Sequence, residues 1–271
     1  MVSFTRSVAY PWALTGVFGA VHLVVTIIPY SLSIGGGGVI SFGLVSGAII
    51  GFLLGPFFGT IAVLIGSTAG GFVNPSIALF GLLTPLAPAT GAFVAGSFRV
   101  RGSRIKSVAP VLFVYILALC FFILGPIGIY APGYLWLHIV AVILVLLFMV
   151  PGVGPQLSDA LHIESDSKHS HSFFAILLVS FIAVMADHLV GSTIAAYVFS
   201  AGMDPEALAL IFMGVAFIYP WERLLASIIT AVVLFITSIS LAKTYFDLPT
   251  LPGIHSAPLE IPPEELEELS G

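Results

Sequence analysis

Charge is what this chain has least of: 8% of its 271 residues are Asp, Glu, Lys or Arg, against 59% hydrophobic, with a mean hydropathy of +1.15. A soluble domain needs about a quarter of its residues charged to cover its surface, so a soluble fold is excluded. No acidic residue occurs before Asp159, and Glu260, Glu264, Glu265, Glu267 and Glu268 crowd the C-terminal end. The net charge of -5 therefore describes a tail more than the chain as a whole. Cys120 is the only cysteine, which excludes an internal disulfide and leaves the redox compartment unread. Period-two alternation is missing, and with it an outer-membrane barrel. A Walker loop, HExxH, GxSxG and paired cysteines are missing too, so no ATPase site or other catalytic constellation is expected, and no bound cofactor. With eight Lys and Arg in all, no nucleic-acid-binding surface is expected.

What the chain has in abundance is uncharged helix. Ser41 to Gly71 reads SFGLVSGAIIGFLLGPFFGTIAVLIGSTAGG, with no charge, a Gly55-Pro56 hinge, and glycine at Gly47, Gly51, Gly55 and Gly59. About 20 apolar residues already cross the hydrocarbon layer as a helix, so the run is expected to be a membrane hairpin. Glycine at every fourth position strips one helix face of side chains and lets a neighbouring backbone come close.

The same reading gives further spans over residues 11–31, 78–98, 108–129, 134–150, 173–199 and 221–242. With the two arms of the hairpin, that makes eight. Asn74-Pro75 is expected to break the third helix, and Pro85 and Pro88 to leave the entry of the fourth irregular. Asp204-Pro205-Glu206 should cap a short helix ending near Tyr219-Pro220. Arg99, Arg101, Arg104 and Lys106 are the basic cluster, which the positive-inside rule places in the cytoplasm, and Arg6 puts the N-terminus there as well. The first apolar segment is of spanning length and is read as retained rather than cleaved. The expectation is an all-α, polytopic transmembrane helical bundle of about eight helices over residues 1–243, followed by an acidic, Pro/Glu-rich cytoplasmic tail over 244–271. Its place is the cell membrane.

Ionisable residues inside spans are expensive in hydrocarbon and tend to mark a pathway or a site. Asp187 and His188 lie within the seventh span; the alternative is an internal pair satisfied by Ser192 or Thr193. Glu222 and Arg223 open the last helix at its outer end, either as site groups or as an interfacial pair with Arg223 snorkelling outward. His22 falls midway along the first span and His138 begins the sixth. Tyr30, Asn74, Tyr130, Tyr134, Trp136, Tyr219 and Trp221 fall near the outer face, where an aromatic belt is the common reading and a subset can stack on a flat ligand. The candidate substrate-binding set is Asp187, His188, Glu222, Arg223, Tyr219, Trp221, Asn74 and Tyr30. The run His162, Glu164, Asp166, His169, His171 reads as a solvated linker, and no metal site is expected.

The first helix carries small residues at Ala13, Gly16 and Ala20, and a glycine-rich loop follows it. With GLVSGAIIGFLLGPFFGTIAVLIGSTAGG, this order resembles the substrate-binding S components of energy-coupling factor vitamin transporters. FIYPWERLL, Phe217 to Leu225, resembles the proline that opens that family's last helix. The similarity is strong over residues 11–98 and weaker over 215–243. It implies a protein that captures a small solute, a vitamin or a related compound, at its outer face. It also implies docking, through Ala13, Gly16 and Ala20, on a transmembrane coupling subunit driven by two cytoplasmic ATPases. Two features depart from the family. S components usually have six helices, so residues 108–150 would be an added hairpin. The metal-ion members begin with a histidine beside the initial methionine, where this chain has Val2. The other reading left open by the residues is a stand-alone channel or proton-coupled carrier with a pathway past His22, Asp187 and His188.

Overall fold

The computed structural model describes residues 9–28, 42–100, 102–162 and 169–242. Tyr30, the tetraglycine loop, Arg6, Arg101, Glu164, Asp166 and the acidic tail lie outside the described residues. Among those described the fold is helical throughout: α1 (Ala9–Ile27), α2 (Gly43–Val73), α3 (Leu86–Ser97), α4 (Arg104–Ile123), α5 (Trp136–Leu147), α6 (Val153–Ala160), α7 (His169–Ser200), α8 (Pro205–Val215) and α9 (Tyr219–Ala242). By length and composition five of them, α1, α2, α4, α7 and α9, are long and apolar enough to cross a membrane, although α2 is two shorter arms and not one straight helix; α5 and α8 are shorter apolar helices. The protein is thus a multi-helix membrane protein.

The glycine-rich run does turn back on itself. Gly55 has φ 83 and ψ 174, a conformation essentially reserved for glycine, and Pro56 restarts the helix. A Cβ on Gly59 would lie 2.6 Å from the Cα of Gly51. In an unbroken helix these Cα atoms would stand about 12 Å apart at 1.5 Å per residue. Residues 43–54 and 56–73 are therefore two antiparallel arms joined at a single residue.

Each arm then nests against another helix. Gly47, Gly51 and Gly55 face Pro88, Ala92 and Gly96 of α3 at a constant offset along the chain, so the first arm and α3 run parallel. A Cβ on Gly96 would come 2.5 Å from the Gly55 carbonyl carbon, and one on Gly51 would run into the Ala92 backbone. The second arm runs parallel to α1 in the same manner, with Gly66 against Gly19 and His22, and Gly70 against Thr26. Lipid tails are as apolar as leucine, so helices in a membrane associate by such close backbone packing and not by a hydrophobic force.

Several boundaries differ from the sequence reading, each for a local reason. Asn74 ends α2 as expected, but residues 78–85 form no span. The chain runs through tight 3₁₀ turns at Pro75–Ile77 and Gly81–Leu83, the irregular entry expected here, and α3 begins only at Leu86. Proline at positions 75, 85 and 88 removes the donors a continuous helix would need. The expected cap at Asp204 is present: its side chain accepts from the Ala207 amide at 3.1 Å, and Pro205 takes the first helical position of α8. Helix α6 lies between the expected sixth and seventh spans, where the sequence reading has no helix. Arg99 is buried rather than solvated; it donates to the Leu161 carbonyl and lies 4.7 Å from the centre of the Phe52 ring. At this end of the bundle Trp12 also packs edge-on against Phe58 at 5.3 Å, and Phe98 lies tilted against Phe148 at 4.5 Å.

Helix α7 is mostly enclosed by its neighbours and is the central strut, with Ile176, Ile182, Met185 and Leu189 fully buried. The buried Tyr115 hydroxyl of α4 donates to the Ile182 carbonyl at 2.6 Å and pins the two helices together. The expected outcome for Gly51→Leu is a loss of about 3 kcal/mol or more of stability, because the clash is with backbone that cannot rotate away. Gly16→Leu, whose Cβ meets nothing within 4 Å, should melt like the parent protein. Thermal unfolding of the two variants in detergent checks this pair.

Candidate functional site

At the end of the bundle opposite Gly55-Pro56, the helices splay around a cavity of about 830 Å³. This lies within the roughly 300–1,000 Å³ range of small-molecule sites. Its floor comes from the start of the first arm (Gly43, Leu44) and the end of the second (Ser67, Thr68, Gly71). One wall is the 3₁₀ segment with Ile77, Leu79 and Phe80, and the others are α7 and α8 with Ala195, Ile211, Phe212 and Val215. The 3₁₀ turns matter here, since a continuous helix over residues 75–85 would give a cylinder where the protein needs a folded wall.

Most of the lining is apolar, and the polar groups converge from α7 and α9. Asp187, His188 and Ser192 line the cavity from α7, Arg223 from α9, and Tyr134 from the 3₁₀ turn Pro132–Leu135. Asp187 is 8% exposed and Arg223 9%. Among the described residues, no hydrogen bond or ion pair within 4.0 Å involves the Asp187 carboxylate or the Arg223 guanidinium, and Arg223 Nε is buried without a partner.

Beside them runs a chain of buried hydrogen bonds. His138 Nε2 lies 3.1 Å from His188 Nδ1, Tyr134 Oη is 3.2 Å from His188 Nε2, and Tyr134 Oη is 2.8 Å from Ser192 Oγ. The tautomers follow from the partners. His138 Nδ1 is buried with no partner among the described residues, and an unmet lone pair costs less than an unmet N–H, which favours the tautomer protonated on Nε2. His138 then donates to His188 Nδ1, His188 Nε2–H donates to Tyr134, and the Tyr134 hydroxyl donates to Ser192. Tyr219 closes the cluster: its hydroxyl donates to the Tyr134 carbonyl at 2.8 Å, and its ring centre lies 4.5 Å from that of His188.

A second polar centre sits where α1 meets both arms of α2. His22, fully buried, bonds through Nδ1 to Ser46 Oγ at 2.8 Å and through Nε2 to Ser67 Oγ at 2.7 Å. Ser46 donates onward to the Gly43 carbonyl at 3.3 Å, so it accepts from His22 Nδ1–H, and Ser67 donates to Nε2. Ser67 also lines the cavity.

Of the residues expected to bind substrate, Asp187, His188 and Arg223 line the cavity, and Tyr219 supports it from behind. Glu222 and Trp221 do not line it, and Trp221 is 68% exposed. Asn74 caps the first 3₁₀ turn, its side chain accepting from the Ser76 hydroxyl at 2.6 Å and the Ser76 amide at 3.2 Å. Tyr30 lies outside the described residues. Ser67 and the role of Tyr134 escaped the sequence reading, because hydroxyls are common in membrane helices and nothing in their spacing points to a histidine elsewhere in the chain; Ser192, expected as a direct partner of the Asp187-His188 pair, instead bonds Tyr134 at 2.8 Å. Among the described residues, no three His, Cys, Asp or Glu side chains gather as a metal-binding group. On the first helix Ala13, Gly16 and Ala20 are all exposed, on the side turned away from α2.

The fold and cavity define a helical membrane protein with a ligand-sized hollow near one end. No described protein family matches the chain, and no solved structure does. A protein of Methanocaldococcus jannaschii described only as uncharacterized is 28% identical over 145 residues, covering 54% of this chain and 44% of the relative. The chain thus spans less than half the length of that curated relative.

Removing the shared hydroxyl in Tyr134→Phe should leave His188 and Ser192 short of a buried partner. The expected cost is about 1–2 kcal/mol. Tyr130→Phe, at an exposed position, should cost nothing measurable. Melting curves of both variants test the assignment.

Proposed function

We propose that the protein binds a small solute in the cavity between α7, α8, α9 and the end of α2, and serves its transport across the membrane in the manner of an S component. The observation that carries this reading is a mostly apolar hollow of ligand size into which two oppositely charged, deeply buried and unpaired side chains project. Ionisable groups at membrane depth are ordinarily paired or face a functional space. The exposed row Ala13, Gly16, Ala20 on α1 supports docking of a coupling subunit, which would bring the ATPases this chain lacks. Residues 1–243 would then act as one transmembrane unit with the cavity on the outer side and both termini cytoplasmic.

Native mass spectrometry of the detergent-purified chain should reveal a retained solute, and Arg223→Gln should lose it. Gly16→Leu should abolish uptake in cells while leaving solute retention intact. A chain that retains and binds no solute, in cells whose uptake is indifferent to Gly16→Leu, would remove the proposal.

The buried chain from His138 through His188 and Tyr134 to Ser192 favours one second reading, a proton-coupled carrier working without a partner. On that reading, liposomes holding this protein alone would accumulate solute under a proton gradient, and His188→Leu would stop accumulation. Transport that needs ATPase subunits and ignores the gradient excludes it.

A further inference from the structure

We propose that the solute is zwitterionic: an organic molecule with an apolar body, an anionic group that Arg223 grips and a cationic group that Asp187 grips. This rests on reading the cavity as a solute site and adds the chemistry of its occupant.

The argument is one of charge balance in a confined, weakly polar space. Asp187 and Arg223 are each more than nine-tenths buried, and both line the cavity. They stand on different helices, α7 and α9, and no ion pair within 4.0 Å joins them. Arg223 Nε has no hydrogen-bond partner, and among the described residues no hydrogen bond or ion pair within 4.0 Å engages the rest of the guanidinium; Asp187 and Glu222 act on it only electrostatically at longer range. An unmet buried charge is costly, and a group that completes it is correspondingly favoured.

No other Asp, Glu, Lys or Arg among the described residues lines the cavity. The stretch 29–41, which joins α1 to α2, contains none of these residue types either. The site's formal charge is therefore one negative and one positive. A purely anionic ligand would satisfy Arg223 and leave Asp187 facing a like charge, and a purely cationic ligand would do the reverse. A neutral ligand would leave both without a full partner. Only a molecule carrying both signs completes both side chains, and it does so without adding net charge to a low-dielectric space. A divalent cation fits poorly, since it asks for several oxygen ligands and Asp187 is the one carboxylate present. The walls of Leu79, Phe80, Ile211, Phe212 and Val215 suit an apolar body between or beside the charged ends.

Such chemistry has two possible sources, a water-soluble amphipathic amino acid and the aminoethyl phosphate headgroup of a lipid. The test uses the full chain in a nonionic maltoside detergent, with binding read by thermal stabilisation and by native mass spectrometry. The soluble arm compares L-tryptophan with tryptamine, which lacks the carboxylate, and indole-3-propionate, which lacks the ammonium. The lipid arm compares lysophosphatidylethanolamine with singly charged lysophosphatidylglycerol. In at least one arm the zwitterion should bind roughly tenfold or more tighter than its singly charged counterparts. The arm that responds names the source. Arg223→Gln should erase the advantage of the zwitterion over the cationic analogue, and Asp187→Asn its advantage over the anionic one. If either variant fails to fold, the comparison of probes on the parent protein decides alone.

Equal binding of singly charged and zwitterionic probes overturns the proposal, as does binding of none of them. A co-purified solute that proves neutral or singly charged overturns it too, while leaving the solute-binding function standing. A chain that retains nothing and responds to no probe brings down both.

Discussion

Backbone contact between helices, permitted by glycine, is the constraint on which the architecture depends. Gly51 sits where a Cβ would collide with the Ala92 backbone from one side, while a Cβ on Gly59 would press on Gly51 itself from the other. One glycine thus serves three helical segments at once. Inside a bilayer, where burying apolar surface gains little, this close approach takes the place of a hydrophobic core. The four small-residue segments α1, both arms of α2 and α3 form a tight block, and α7 is laid against it.

The block determines where the cavity can open. Close nesting holds the arms together near Gly55-Pro56, and the bulkier connections, 3₁₀ turns and short α8 collect at the far end. Space is left there because those elements do not pack as cylinders. The polar residues at that end then arrange themselves in two ways. Tyr134, His138, His188, Ser192 and Tyr219 are joined to one another by hydrogen bonds, whereas Asp187 and Arg223 are not. The contrast within so small a volume separates side chains that build the site from those left open to an occupant.

Much of this was legible in the sequence. The charge-free glycine run gave away both the membrane and the hairpin, because φ above zero at a Gly-Pro junction and four-residue glycine spacing each have one common physical use. Asp204-Pro205 marked the start of α8 for a similar local reason. Asp187, His188 and Arg223 stood out simply by being ionisable in apolar surroundings. What could not be read was convergence. His138 and His188 are 50 positions apart, and nothing local to either says that their rings share a proton. Glu222 and Trp221 adjoin Arg223 in sequence, yet a helix sends neighbouring side chains in different directions, and only Arg223 reaches the cavity. The fourth span was drawn too long because residues 78–85 are apolar, although the irregular entry expected from Pro85 and Pro88 is present.

His22 has a consequence for how the chain enters the membrane. Its two ring nitrogens are satisfied by Ser46 and Ser67, which belong to opposite arms of the hairpin. Both serines follow His22 in the chain, so when α1 is made neither hydroxyl yet exists beside the imidazole. Helix α1 can therefore complete both bonds only after residue 67 has been made. One imidazole thus ties α1 to both arms of the hairpin.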